Sequence, residues 1–177
     1  MGLNLKEMVD RDNNIEIGAG YYPGRLIGIA ELGLQKKQYK GVPKRQHLVA
    51  LLFEVYVLGM DEKPMLLSKD FNKIIKDNSN LGKAINALRK NTEFTPEEME
   101  NYNLSRLLGS LCNIYVDNYE KGGQIKQVIK DVDVLIENTK LPESSTKYVY
   151  FKMDNSETWS SFADMPPWIQ IKNIIKI

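Results

Sequence analysis

The sequence predicts a mainly β chain with some helix: five strands closing into a Greek-key barrel, a helix between strands three and four, and a C-terminal extension. Three observations lead there. Residues 25–34 and 45–56 carry two long strand-like apolar patterns, rich in β-branched and aromatic residues. Three further strand-length apolar stretches follow, and the helical signals all fall between the third and the fourth strand. The chain is 177 residues long with 42% hydrophobic and 27% charged residues, which suits one packed domain with extensions.

The elements follow in order. Residues 1–19 are polar and mixed in charge, with a turn signal at Asp12-Asn-Asn14, and read as an N-terminal arm. Residues 20–136 read as the barrel domain. In the first strand, simple alternation puts Leu26, Gly28, Ala30 and Leu32 on one face and Arg25, Ile27, Ile29 and Glu31 on the other. Gly28 and Gly33 mark places where the strand bends or is closely approached. The second strand is apolar on both faces in its middle, which predicts a central position. Gly59 to Pro64 reads as a turn, and Met65 to Phe71 as the third strand. Asn78-Ser-Asn80 can cap a helix whose Leu81, Ala84, Ile85 and Leu88 recur at i, i+3, i+4 and i+7. Thr95-Pro-Glu-Glu98 is a capping box for a second helix, with the Leu104, Leu107 and Leu108 patch ended by Gly109. Leu111 to Val116 is the fourth strand, Asn118 to Gly123 a turn, and Gln124 to Val134 the fifth strand. Pro142 to Ser145 reads as a linker within an extension over 137–177. Its Trp159, Phe162 and Trp168 are costly to expose, so the extension is expected to dock on the barrel.

That order, with the helix between strands three and four, is the order of the OB-fold. Such barrels bind oligonucleotides across strands two and three, flanked by the loops after strands one and four. Here those loops are residues 35–44 and 118–123.

The net charge of +1 conceals an asymmetry. Residues 1–20 carry +2 − 4 = −2, residues 21–50 carry +6 − 1 = +5, and the remainder carries −2. Local potential selects partners more than net charge does. A single-stranded nucleic acid needs cations for phosphates and flat side chains for bases. Lys36, Lys37, Lys40, Lys44 and Arg45 supply cations in and beside the first loop, and Tyr39 among them can stack. Tyr56, Tyr119, Lys69 and Lys121 complete the candidate nucleic-acid-binding set; Phe71, also aromatic, reads more simply as core. The competing reading of the lysines is a solvated hairpin tip that resists edge-to-edge aggregation.

Catalysis has little to stand on. The chain has one histidine, His47, and one cysteine, Cys112, so it offers no internal disulfide and no His/Cys metal cluster. Gly18 to Pro23 resembles a dinucleotide fingerprint but has Pro23 where the third glycine belongs. Gly82-Lys83 lacks the rest of a phosphate loop. Asp131 and Asp133 are paired carboxylates that read as solvent-facing residues at a strand end. No catalytic residue, metal or cofactor is expected. No apolar run approaches the ~20 residues that cross a bilayer, the N-terminus lacks a signal-peptide core, and Lys6 breaks a myristoylation pattern. The lone cysteine fits a reducing cytoplasm.

Several separated pieces also resemble a known family. They are Gly24 to Gly33 with Lys40-Gly-Val-Pro-Lys-Arg45 and Phe53-Glu54; Leu67-Ser-Lys-Asp-Phe71 with Ser79-Asn-Leu81 and Leu88-Arg89; Phe94-Thr-Pro-Glu-Glu98 with Leu107-Leu-Gly109 and Cys112; and Met165-Pro-Pro-Trp-Ile-Gln170. In this order and spacing the chain resembles small OB-fold proteins of the replication and recombination modules of tailed phages and prophages, regarded as single-stranded DNA-binding proteins. It departs from them at Lys90-Asn-Thr92, where a glycine and a basic residue are usual, and at Glu31, where an aspartate is usual. The resemblance implies a sequence-tolerant, non-catalytic single-stranded DNA-binding protein in the cytoplasm of a bacterial host. Replication or recombination proteins, phage or host, and a second copy of the chain are further expected partners. The alternative is an OB-fold adaptor in such an assembly, with the Trp168 tail as its adhesive element. The chain ends in basic and apolar residues, Lys172 to Ile177, rather than in an acidic tail.

Overall fold

The structure is a computed structural model that describes residues 17–57, 64–76, 78–90, 95, 97, 102–137, 139–141, 144, 147–166 and 169, with residues 36–39 and 44 described by their backbone alone. Most of the N-terminal arm, most of the Gly59–Pro64 turn, half of the Thr95–Glu98 capping box, most of the 142–145 linker, Trp168 and the last residues lie outside the described residues.

The chain is mainly β. Its strands are β1 (Gly20–Tyr39), β2 (Val42–Val55), β3 (Met65–Asn72), β4 (Leu111–Lys121), β5 (Gln124–Asp133) and β6 (Val149–Lys152). One sheet holds all six, in the order β3-β2-β1-β4-β5, with β6 added to β1. Every pairing is antiparallel except β1 with β6. β2 is flanked on both sides, as its two-sided apolar pattern requires. The sheet is open: β3 and β5 are its ends, and among the described residues no ladder joins them. The two ends do touch, because the Lys69 ammonium donates to the Ile129 carbonyl at 3.0 Å.

The helical content differs from expectation. Helix α1 (Asn80–Leu88) lies between β3 and β4. Ser79 is its N-cap and accepts from the Gly82 amide at 3.0 Å, while Leu81, Ala84, Ile85 and Leu88 are buried. The Leu104 patch forms a short 3₁₀ segment, Leu104–Leu107, rather than an α-helical stripe. A second 3₁₀ helix, Ser156–Asp164, follows β6 and was not expected. Among the described residues, no helix is long and apolar enough to cross a membrane.

Two bulges overturn the face assignment of β1. Pairing steps from Leu26↔Phe53 to Gly28↔Leu52, and from Glu31↔Val49 to Gly33↔Leu48, so β1 spends one extra residue at Ile27 and another at Leu32. An extra residue reverses the alternation beyond it. Leu26 and Ile29 therefore share one apolar layer with Val49, Leu51, Phe53, Phe71, Ile114 and the apolar face of α1. Ile27, Ala30 and Leu32 share the other with Leu48, Ala50, Leu52 and Leu66. This second layer is covered by the extension through Val149, Phe151, Met165 and Ile169. The Phe151 and Phe162 ring centroids are 4.9 Å apart. Two buried carboxylates tie the extension down: Glu31 accepts from the Tyr150 hydroxyl and pairs with Lys73 at 2.7 Å, and Glu54 accepts from Ser144.

Candidate nucleic-acid interface

Residues 35–44 are not a loop. β1 runs to Tyr39 and β2 starts at Val42, so only Lys40 and Gly41 turn the chain. Their φ values of 50° and 77° are both in the left-handed region, as a two-residue hairpin turn that follows the sheet's twist requires. Gly41 adopts this freely, and Lys40 bears the strain. Beyond Leu34↔His47, whose His47 carbonyl accepts from the Lys73 amide at 2.8 Å, β1 and β2 pair only with each other in the sheet's ladders among the described residues. They form a two-stranded ribbon with both edges open. At its root Gln35 is buried and its Nε2 donates to the Leu32 carbonyl at 2.9 Å, beside the second bulge.

Residues 33–47 hold Lys36, Lys37, Lys40, Lys44 and Arg45 and no acidic residue, a charge of +5. The register sets Lys36 opposite Arg45 and Lys37 opposite Lys44. Like charges directly opposite one another disfavour a ladder. Arg45 and Lys40 are exposed. Tyr39 ends β1 opposite Val42.

The remaining candidates fall elsewhere. β4 continues to Lys121, and the second turn is only Gly122-Gly123, so Tyr119 and Lys121 are strand residues rather than loop residues. Tyr119 is 49% exposed and sits opposite Lys126, and Lys121 is exposed at the hairpin's end. Tyr56 follows the end of β2. Its hydroxyl donates to Glu54 at 2.9 Å, and burial, then the Glu54 charge, hold it protonated well above the usual tyrosine range. Lys69 lies between the sheet's ends, bound to the Ile129 carbonyl with its ammonium 5.7 Å from the Phe71 ring centre. Burial, then Lys130 nearby, lowers its pKa. Tyr56 and Lys69 thus have structural partners and are not brought to the ribbon. Phe71 is buried in the first apolar layer.

Where the extension covers β1 and β2, their outer face is closed to a base: Ala30, Ala50 and Leu52 are fully buried beneath it. Open aromatic surface lies on β4 and its neighbours instead. Tyr21 is 55% exposed and meets the Tyr115 ring edge-on at 4.9 Å, opposite it in the ladder. Asp131 is opposite Tyr115, and Asp133 hydrogen-bonds Tyr21. Burial, then Asp131, raises the Asp133 carboxyl, with the Tyr21 hydroxyl acting against them. Sequence reasoning passed over Tyr21 and Tyr115. Alternation along β4, with Cys112, Ile114 and Val116 inward, would have put Tyr115, Asp117, Tyr119 and Lys121 on one outward face. His47 is exposed. Among the described residues, no group of three or more His, Cys, Asp or Glu is placed to hold a metal.

Comparison with protein-family models and with curated proteins finds no match to this chain.

Proposed function

We propose that this protein binds single-stranded DNA without catalysis and with little sequence preference, as part of a phage-type replication or recombination system in a bacterial cytoplasm. The observation that carries the reading is the ribbon: +5 of charge, no acidic residue over 33–47, and cation set opposite cation in the ladder. Such a ribbon repels a second copy of itself and suits a polyanion. The fold supports an OB-type barrel. The order β3-β2-β1-β4-β5, a helix between β3 and β4, and Lys69 spanning β3 and β5 are what a five-stranded Greek-key barrel near closure would have. The phage setting rests on the sequence resemblance alone.

The test is fluorescence anisotropy of a labelled oligo-dT strand at low and moderate salt, with a duplex as control. Each phosphate neutralised on a single strand contributes roughly −0.7 to the log–log salt slope. Replacing Lys36, Lys37 and Lys40 by alanine is expected to weaken binding and to flatten that slope by about 2. An unchanged slope removes the ribbon from the interface.

A second reading, a protein-interaction adaptor, is favoured by the extension lying over Leu48, Ala50 and Leu52 of β2 and Leu66 of β3, the two strands across which OB-folds bind oligonucleotides. It predicts no oligo-dT binding even at low salt.

A further inference from the structure

Trp159 was expected to be buried, yet it is 55% exposed. A single exposed aromatic is ordinary on a protein surface, so its position has to decide what it does. β6 leaves the edge of β1 where the ribbon begins. The Met153 amide donates to the Glu31 carbonyl at 2.9 Å, and a side chain at Gly33 would lie 3.5 Å from the Met153 Cβ. The Trp159 indole N–H donates to the Met153 carbonyl at 2.9 Å. The indole N–H is therefore anchored to Met153, the residue that meets β1 at Glu31 and Gly33, the root of the ribbon. The 3₁₀ helix that carries it is held to β6 by Thr158, whose hydroxyl accepts from the Lys152 amide at 2.8 Å, and by Phe162 against Phe151.

The charge beside the ring has the opposite sign to that of the ribbon. Residues 153–166 contain Asp154, Glu157 and Asp164 and no Lys or Arg, a charge of −3. Lys152 lies 3.8 Å from Asp154, across an exposed pair. A segment of charge +5 thus adjoins, at Gly33 and Met153, a segment of charge −3 that bears the exposed indole. A nucleic-acid strand entering there is oriented: its phosphates are drawn to the ribbon and repelled by the carboxylates, which turns its bases toward Trp159.

We infer that Trp159 is a stacking platform for a nucleobase of the single strand whose phosphates lie along the ribbon. The inference rests on the single-strand reading of the ribbon and adds to it a residue from a different part of the chain.

The experiment uses the full-length protein and oligo-dT. Trp159→Ala is expected to weaken binding roughly 5- to 150-fold, the loss of one stacked base, with the salt slope unchanged. Trp159→Phe, which keeps a ring, should recover most of the loss. In Trp168→Phe, where Trp159 is the sole indole, oligo-dT should quench the fluorescence in parallel with the anisotropy. Unchanged affinity in Trp159→Ala, while the ribbon lysine variant still weakens binding, would overturn the inference, leave the ribbon reading standing, and assign the exposed ring to a protein surface. A flattened salt slope in Trp159→Ala would also overturn it, since the residue would then act through the ribbon. No binding by the unaltered protein would overturn both.

Discussion

Replacing Phe151 by alanine measures how firmly the extension forms a second layer on the sheet. Phe151 is 2% exposed, on the strand that pairs in parallel with Gly28–Glu31 of β1. It packs among Ile27, Ala30, Leu32 and Leu52 and meets the Phe162 ring at 4.9 Å. Truncating a buried phenylalanine removes its transfer free energy and leaves a cavity, together about 3–5 kcal/mol. The site cannot collapse easily, because the sheet beneath is held by ladders on both sides of β1. In a chain of this size each kcal/mol lowers the melting temperature by roughly 2–4 °C, so a fall of about 6–20 °C is expected. Urea denaturation followed by circular dichroism gives the free energy directly. β6 is four residues long, so the extension could detach before the sheet unfolds; the loss would then appear as an early transition of small amplitude. A single transition with a loss below about 1 kcal/mol would refute the reasoning, since the outer layer would not be packed in solution.

Two further expectations follow from local geometry. Helix propensity alone says that Gly82→Ala in α1 should stabilise by about 1 kcal/mol. A Cβ there, however, would lie 1.8 Å from the Lys76 carbonyl oxygen, so a loss of about 1–3 kcal/mol is expected in the same denaturation assay, and a gain would refute the steric argument. Asp133 has its folded pKa raised, first by burial and then by Asp131. A carboxyl raised in the folded state favours folding when protonated, and that contribution is lost as pH rises from the unfolded carboxylate value through the folded one. Asp133→Asn should therefore melt slightly higher than the unaltered protein at neutral pH, with the difference vanishing below the carboxylate range; a difference independent of pH would exclude the titration as its cause.

How much could be read from residues alone varied by element. The capped helix is legible because Ser79 and the Leu81, Ala84, Ile85, Leu88 stripe are local signals that the structure uses as they stand. The ribbon's charge is equally legible, but its form is not. Lysines, a glycine and a proline over 36–44 read as a loop, and only the strand pairing turns them into a two-stranded arm with a two-residue turn. Lys69 and Tyr56 are candidates for phosphate and base contact by residue type, but the fold gives each a structural partner: the Ile129 carbonyl, sixty residues away, for Lys69, and Glu54, two residues back, together with burial for Tyr56. Trp159 failed in the opposite sense, since hydrophobicity argues for burial and its neighbours left it out.

The sequence by itself determined where the middles of β1 to β5 and the capped helix α1 form, and where the positive charge collects, because periodicity, capping and composition act over a few residues. Tertiary structure alone decided which face of β1 meets which layer. The extra residues at Ile27 and Leu32 shift the phase of alternation, and a bulge is set by the partner strand's register, not by the strand's own pattern. It also decided that the extension covers β1 and β2, since burial depends on what arrives from elsewhere in the chain, and so left the ribbon, the β4 face and Trp159 as the surfaces open to a partner.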